Sequence, residues 1–134
     1  MKKRVYAVTI AFSLVLISFV IIAAQKPADP SRRCAKHLRD LGWQIVEQPI
    51  EIQEITVPVT FDEVYEGYNK IQKQGGFDLA EYAGKKLTRY TFEVKNFEGL
   101  KNIRANVLVY QGQVIGGDIM SVAIDGFMLP LVKH

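Results

Sequence analysis

Cys34 and His37 stand three residues apart, a spacing that puts a thiol and an imidazole on neighbouring positions of a helix surface. Such a pair could form an imidazole-activated thiol or half of a metal site. Zinc, however, needs further soft ligands, and the only other histidine is His134, the last residue. A thiol nucleophile also needs an oxyanion arrangement, and no motif supplies one. Cys34 is therefore expected in an apolar helix stripe, with His37 at its rim.

Carboxylates offer a second chemistry. Asp62 and Glu66 lie at i, i+4 and could be imagined as an acid/base couple or a calcium contact. Glycosidase carboxylates must flank a cleft, and calcium loops need a denser run of oxygen ligands. Acidic residues in the first turns of a helix are already explained by its dipole. Gly75-Gly76-Phe77-Asp78 and Gly116-Gly117-Asp118 lack both the lysine and hydroxyl residue of a phosphate loop and the glycine spacing of a dinucleotide site. Turn and bulge chemistry accounts for both. Asp118 and Asp125 flank the final strand near glycine-lined backbone, and with Asp78 and Tyr82 they are the candidate ligand-site residues. No catalytic residue, cofactor site or metal site is expected. Tyr65, Tyr68, Tyr82, Tyr90, Phe92 and Tyr110 could form a stacking platform for sugars or peptides. Most fall on the apolar phase of their elements, which predicts core and core-rim packing instead.

The elements that must position these residues are legible in order. Asp29-Pro30-Ser31 starts a helix whose face carries Cys34, Leu38 and Leu41, and Gly42 ends it. Trp43 to Glu47 and Ile50 to Val57 read as extended chain, interrupted by Pro49 and stopped by Pro58. Trp43 is expected to fill the joint between helix and sheet. Thr60-Phe61-Asp62-Glu63 reads as a capping box for a helix over about 61–73. Phe61, Val64, Tyr65, Tyr68 and Ile71 form its apolar stripe, and Gly75-Gly76 stops it. Asp78 caps one further turn through Tyr82, closed by Gly84. Period-two patterns then predict strands over Leu87–Lys95, Ile103–Tyr110 and Gln113–Ile124. Gln111-Gly112 makes a tight turn, and Gly116-Gly117 predicts a bulge or the close approach of another backbone. Phe127 to Val132 is an apolar tail expected to fold back onto the domain. The class is α+β: two main helices packed on an antiparallel sheet that ends in a three-stranded meander.

Ahead of this domain, Lys2-Lys3-Arg4 precedes an uncharged run over residues 5–24. Twenty helical residues rise about 30 Å, the thickness of a bilayer's hydrocarbon core. Signal peptidase needs small residues one and three positions before its cut, and Ile21 or Ile22 would occupy the second of those sites. The run is therefore expected to be an uncleaved transmembrane anchor. Residues 1–4 form a cytoplasmic basic tail, 25–30 a linker and 31–134 a single domain. Lys2, Lys3 and Arg4 favour a cytoplasmic N-terminus, whereas Lys26, Arg32, Arg33, Lys36 and Arg39 after the run argue the opposite way. A short basic tail is easily retained and a folded domain can translocate despite its charges, so the expected topology is extracytoplasmic.

The net charge of +3 is carried entirely by those first three basic residues, so residues 25–134 are neutral overall. That excludes a global field for a polyanion, and no nucleic-acid partner is expected. Arg32, Arg33, Lys36 and Arg39 are read as a solvated helix face, with contact to anionic head groups as the alternative. One cysteine excludes an intramolecular disulfide.

Several dispersed motifs point to a family. They are Leu41-Gly42-Trp43, Phe61-Asp62-Glu63-Val64-Tyr65-Glu66 with Tyr68-Asn69, and Gly76-Phe77-Asp78-Leu79 with Tyr82 and Gly84-Lys85. Arg89-Tyr90-Thr91, Asn106 to Tyr110, Ile115-Gly116-Gly117-Asp118 and Asp125-Gly126-Phe127-Met128 complete the set. Over residues 35–130 or so the chain resembles a domain-of-unknown-function family, numbered 4830, of small membrane-anchored proteins in clostridia-like Gram-positive bacteria. The resemblance implies a bacterial cell-envelope setting and brings no activity, substrate or catalytic residue. The expected function is a single-pass envelope protein whose outer domain binds a protein or small ligand without catalysis. One alternative is an envelope hydrolase or cell-wall-modifying enzyme using carboxylates such as Glu63, Asp78 or Asp118. Another is a cytoplasm-facing membrane adaptor.

Overall fold

The structure, a computed structural model, describes residues 29–134. The expected basic tail, the anchor at 5–24 and most of the linker lie outside the described residues. Among the described residues, no helix is long and apolar enough to cross a membrane.

Helix α1 (Pro30–Asp40) begins where the Asp29 carboxylate accepts from the Ser31 N–H at 3.1 Å, with Pro30 in the first turn. Leu41 caps its end, and Gly42 follows at φ 93°, a left-handed conformation that favours glycine. Strand β1 (Glu51–Thr56) precedes α2 (Glu63–Gln74). Here the structure corrects the expected cap. Asp62, not Thr60, accepts the Tyr65 N–H at 2.8 Å, so the helix starts at Glu63. The apolar stripe shifts with it: Val64 is 80% exposed, while Asn69 and Gln72 are buried. A short 3-10 turn (Leu79–Tyr82), capped by Asp78, leads into the remaining strands.

These are β2 (Lys86–Val94), β3 (Ile103–Tyr110), β4 (Gln113–Ser121) and β5 (Met128–Pro130). All five strands form one antiparallel sheet in the order β1-β2-β3-β4-β5. The expected three-stranded meander, β2-β3-β4, lies at the centre of the sheet rather than ending it: β1 joins one side, and the apolar tail returns as β5 on the other. Trp43 to Glu47, expected as extended chain, contributes only a single bridge, Ile45 to Val94.

Alternation along the strands sends neighbouring side chains to opposite faces. On one face Tyr90, Phe92, Val94, Ile103, Ala105, Val107, Val109 and Ile119 pack with Cys34, Ala35 and Leu38 of α1. Trp43 closes this layer as expected: it stacks on Phe97 and donates its indole N–H to the Val132 carbonyl at 2.9 Å. On the other face Leu87, Leu108 and Ile115 pack with Val57 and Leu79, against Phe61, Tyr65 and Tyr68 beside and on α2. One helix thus covers part of each face.

The β3–β4 hairpin turns on Gln111 and Gly112, both at positive φ (48° and 75°), which matches the twist of the flanking strands. Its register shifts between Leu108 and Val109, the bulge that the glycine pair announced. A Cβ on Gly117 would lie 2.4 Å from the Asn106 carbonyl oxygen, and one on Gly116 would lie 2.8 Å from Gln72 Oε1. Gly116 is what lets α2 sit down on β4, while Gly117 clears β3 and Leu131.

Candidate functional site

A row of polar side chains crosses the α2 face of the sheet. Thr91, Asn106 and Asp118 are direct cross-strand neighbours on β2, β3 and β4. The Thr91 hydroxyl donates to Asn106 Oδ1 at 2.7 Å, and Asn106 Nδ2 donates to Asp118 Oδ1 at 2.9 Å. From above, the Tyr68 hydroxyl of α2 donates to Asp118 Oδ2 at 3.1 Å. Both donors reaching Asp118 point their protons at its carboxylate, which is only 1% exposed. Burial pushes the Asp118 carboxyl above its ordinary value, while the bonds from Asn106 and Tyr68 and the charge of Arg89 pull it back. The same burial, with Asp118 alongside, drives the Tyr68 phenol upward.

Two more groups flank this row. Gln72, one turn beyond Tyr68, accepts the Gly117 N–H at 2.8 Å through Oε1 and leaves Nε2 buried without a partner. Arg89 reaches Gln53 on β1 and lies 3.8 Å from Glu51, with its Nε also buried and unpartnered. The row clamps α2 to the sheet through groups that each cost free energy if left alone.

A concave surface lies elsewhere on the domain. Lys73, Gly76, Phe77, Asp78, Glu81, Tyr82, Val114 and Ile115 line an open groove of about 480 Å³ between the end of α2, the 3-10 turn and β4. Asp78 Oδ1 accepts from Asn69 Nδ2 at 2.9 Å and from the Ala80 N–H at 3.0 Å. The Asn69 bond, then the Ala80 bond, hold the carboxyl below its usual range, and the charge of Lys73 assists. Asn69 is itself fixed because its Oδ1 accepts the buried Leu79 N–H at 2.7 Å. Tyr82 packs edge-on against Tyr110, with centroids 5.5 Å apart. The groove therefore offers two aromatic rings, one ammonium group and two carboxylates.

Of the four residues proposed from the sequence, the structure brings Asp78 and Tyr82 together in this groove. Asp118 lies outside its lining, beneath Tyr68, and Asp125 is exposed in the turn between β4 and β5. Cys34 is fully buried, and desolvation pushes its thiol up to about 12, so it is a packing residue. Burial lowers the His37 imidazole. His134 packs edge-on against Trp43 with Nε2 2.9 Å from the Asn96 carbonyl, far in role from a metal ligand. Among the described residues no three histidine, cysteine or acidic side chains converge to hold a metal. Asp62 is consumed as a helix cap, and Glu63 and Glu66 are exposed.

Sequence reasoning did not find Asn69, Gln72, Arg89, Thr91 or Asn106. A signal existed for two of them. Thr91 and Asn106 each interrupt an apolar strand on the same phase, and so does Asp118.

The domain is thus a small α+β meander with one helix on each face. Comparison with family models matches residues 37–119 to a domain of unknown function, DUF4830, and the chain belongs to that family. The matched segment contains the polar row and the groove. No curated protein and no solved structure matches the chain.

Proposed function

We propose that the chain is a single-pass, membrane-anchored protein of the bacterial cell envelope whose outer domain binds a partner protein or small ligand without transforming it. The observation that carries the binding reading is the groove beside the 3-10 turn. Its volume of about 480 Å³ falls within the range of roughly 300–1,000 Å³ common to ligand sites. Phe77 and Tyr82 offer apolar faces, Lys73 suits a carboxylate, and Asp78 and Glu81 suit an amine. This chemistry fits a zwitterionic or sugar-linked peptide.

Hydrolysis by paired carboxylates would need both groups on one cleft, one of them poised as an acid. Asp78 and Glu81 share the groove, but the bonds from Asn69 and Ala80 hold the Asp78 carboxyl below its usual range and Glu81 is exposed; the buried carboxyl that is raised, Asp118, sits apart beneath Tyr68, outside the groove lining. That separation supports binding over catalysis. The envelope setting rests on the uncharged run at 5–24 and the short basic tail before it.

The test is an NMR titration of the full chain in detergent micelles with a muramyl dipeptide as probe. Amide shifts at Lys73, Phe77, Tyr82 and Val114, with no new product resonances from the probe, are expected. Tyr82→Ala should weaken the interaction roughly threefold to tenfold through lost aromatic contact. An undisturbed groove would overturn the ligand assignment, and new product resonances would favour the hydrolase.

A further inference from the structure

The sheet has two outer edges, and they are built differently. β5 is three residues long, ends in Pro130 and is contacted by α2. Short length and proline are the usual ways of making an edge unreceptive to another strand. β1 has neither. Its six residues pair with β2 in unbroken register, from Glu51 opposite Thr91 to Thr56 opposite Lys86, and they include no proline, lysine or bulge.

The phase of that pairing decides which backbone groups remain. The Val57 N–H donates to the Lys85 carbonyl at 2.9 Å, continuing the β1–β2 register. Alternation then turns Gln53 and Ile55 inward as well, and points the N–H and C=O groups of Ile52, Glu54 and Thr56 outward. Among the described residues nothing pairs with them. The side chains define what could. Ile52 is 58% exposed and Ile50, two residues earlier on the same phase, is 52% exposed. Glu51 and Glu54 stand along the same edge. Their partners Arg89, itself half-buried, and Lys86 are each 3.8 Å away, at the long end for an ion pair, so neither carboxylate is saturated.

We propose that β1 receives an extended, basic segment of a partner protein as a sixth strand. Backbone hydrogen bonds to Ile52, Glu54 and Thr56 hold the segment, an apolar residue covers Ile52, and lysine or arginine meets Glu51 and Glu54. A second copy of this chain fits poorly. The two-fold antiparallel register that engages all three outward residues is centred on Glu54, and it sets two carboxylates opposite each other. This surface is separate from the groove, and its test does not depend on the groove's ligand.

The experiment is calorimetric titration of the full chain in detergent micelles with the blocked hexapeptide Thr-Val-Lys-Thr-Val-Lys, which in antiparallel pairing sets lysine opposite Glu54 and Glu51 and valine opposite Ile52. Three comparisons accompany it: the same peptide with glutamate for lysine, the lysine peptide N-methylated on alternate amides, and the variant Glu54→Pro. Proline at position 54 removes an outward N–H together with the Glu54 carboxylate and leaves the inward backbone groups intact, so β1 can keep its pairing with β2. The lysine peptide should bind, and each change should weaken it about tenfold or more through lost backbone bonds or lost charge complementarity. The N-methylated peptide keeps its charge, so equal binding by it would mean mere ionic attraction and would overturn the proposal. So would undiminished binding by a folded Glu54→Pro chain, or no binding by the lysine peptide. If the variant fails to fold, the N-methylated peptide decides alone. A dimer seen by analytical ultracentrifugation and abolished by Glu54→Pro would assign the edge to a second copy and overturn it too.

Discussion

Removing one oxygen atom from Tyr68 tests the polar row more cleanly than removing Asp118, because Tyr68→Phe keeps the ring that packs on the sheet. The Tyr68 hydroxyl donates to Asp118 Oδ2 at 3.1 Å, and Asp118 is 1% exposed, so water cannot readily replace the lost donor. A hydrogen bond to a charged group contributes about 1.5–3 kcal/mol, which sets the expected loss of stability at neutral pH. For a domain of this size that corresponds to a fall in Tm of roughly 6–15 °C. The pH dependence supplies the sign. Burial raises the folded-state carboxyl of Asp118 above its unfolded value. Its contribution to stability is therefore fully present below the unfolded value, near pH 4, and is lost as pH rises through the folded one. Tyr68→Phe removes a bond that favours the ionised form, so its penalty should be small at acid pH and grow across that window. Thermal unfolding of the full chain in micelles, followed by near-ultraviolet circular dichroism from pH 3.5 to 8 or so, measures this for wild type, Tyr68→Phe, Asp118→Asn and the double variant. The double-mutant cycle should give a coupling of about 1–2 kcal/mol at neutral pH. A loss below about 0.5 kcal/mol that is flat with pH would refute the reasoning.

Two glycine substitutions should have opposite signs. Gly117→Ala drives a Cβ to 2.4 Å from the Asn106 carbonyl and 2.6 Å from Leu131 Cδ2, and should cost about 2–3 kcal/mol by overpacking. Gly67→Ala, inside α2 with open space around the new methyl, should gain about 0.5–1 kcal/mol. The same thermal scans check both. Cys34, buried and with its thiol pushed up to about 12, should react with iodoacetamide only as fast as the domain opens. Rapid alkylation of the native chain would contradict its place in the core.

How much of this was readable in the chain follows from which constraints are local. Asp29, Pro30 and Gly42 bound α1 within a residue or so because caps act on adjacent backbone. The alternation in β2, β3 and β4 was equally plain, and the glycine pair announced its bulge. The width of the sheet was harder, since β5 is only three residues long and β1 is exposed on nearly every position, so neither carries a clean burial pattern. Thr60 and Asp62 are both competent caps; Asp62 takes the role, and α2 turns Tyr68 and Gln72 toward β4. That turn also explains why Val64 is exposed and Gln72 buried. A polar helix face is stable there only because Asp118 and the Gly117 N–H are waiting on a strand some 45–50 residues away. No local pattern encodes such a pairing. The groove was half legible: Asp78 and Tyr82 are close in sequence, whereas Val114 and Ile115 reach it through the fold.

The most direct measurement of the central claim, a binding domain held outside the cell by residues 5–24, is a pair of fusions after His134. One carries alkaline phosphatase and the other a fluorescent protein that matures only in the cytoplasm. Phosphatase activity without fluorescence is the predicted result and would direct the search to wall peptides and surface proteins. Fluorescence without phosphatase activity would contradict the account. The five basic residues after the apolar run would then have set the topology, and the domain would belong to the cytoplasm.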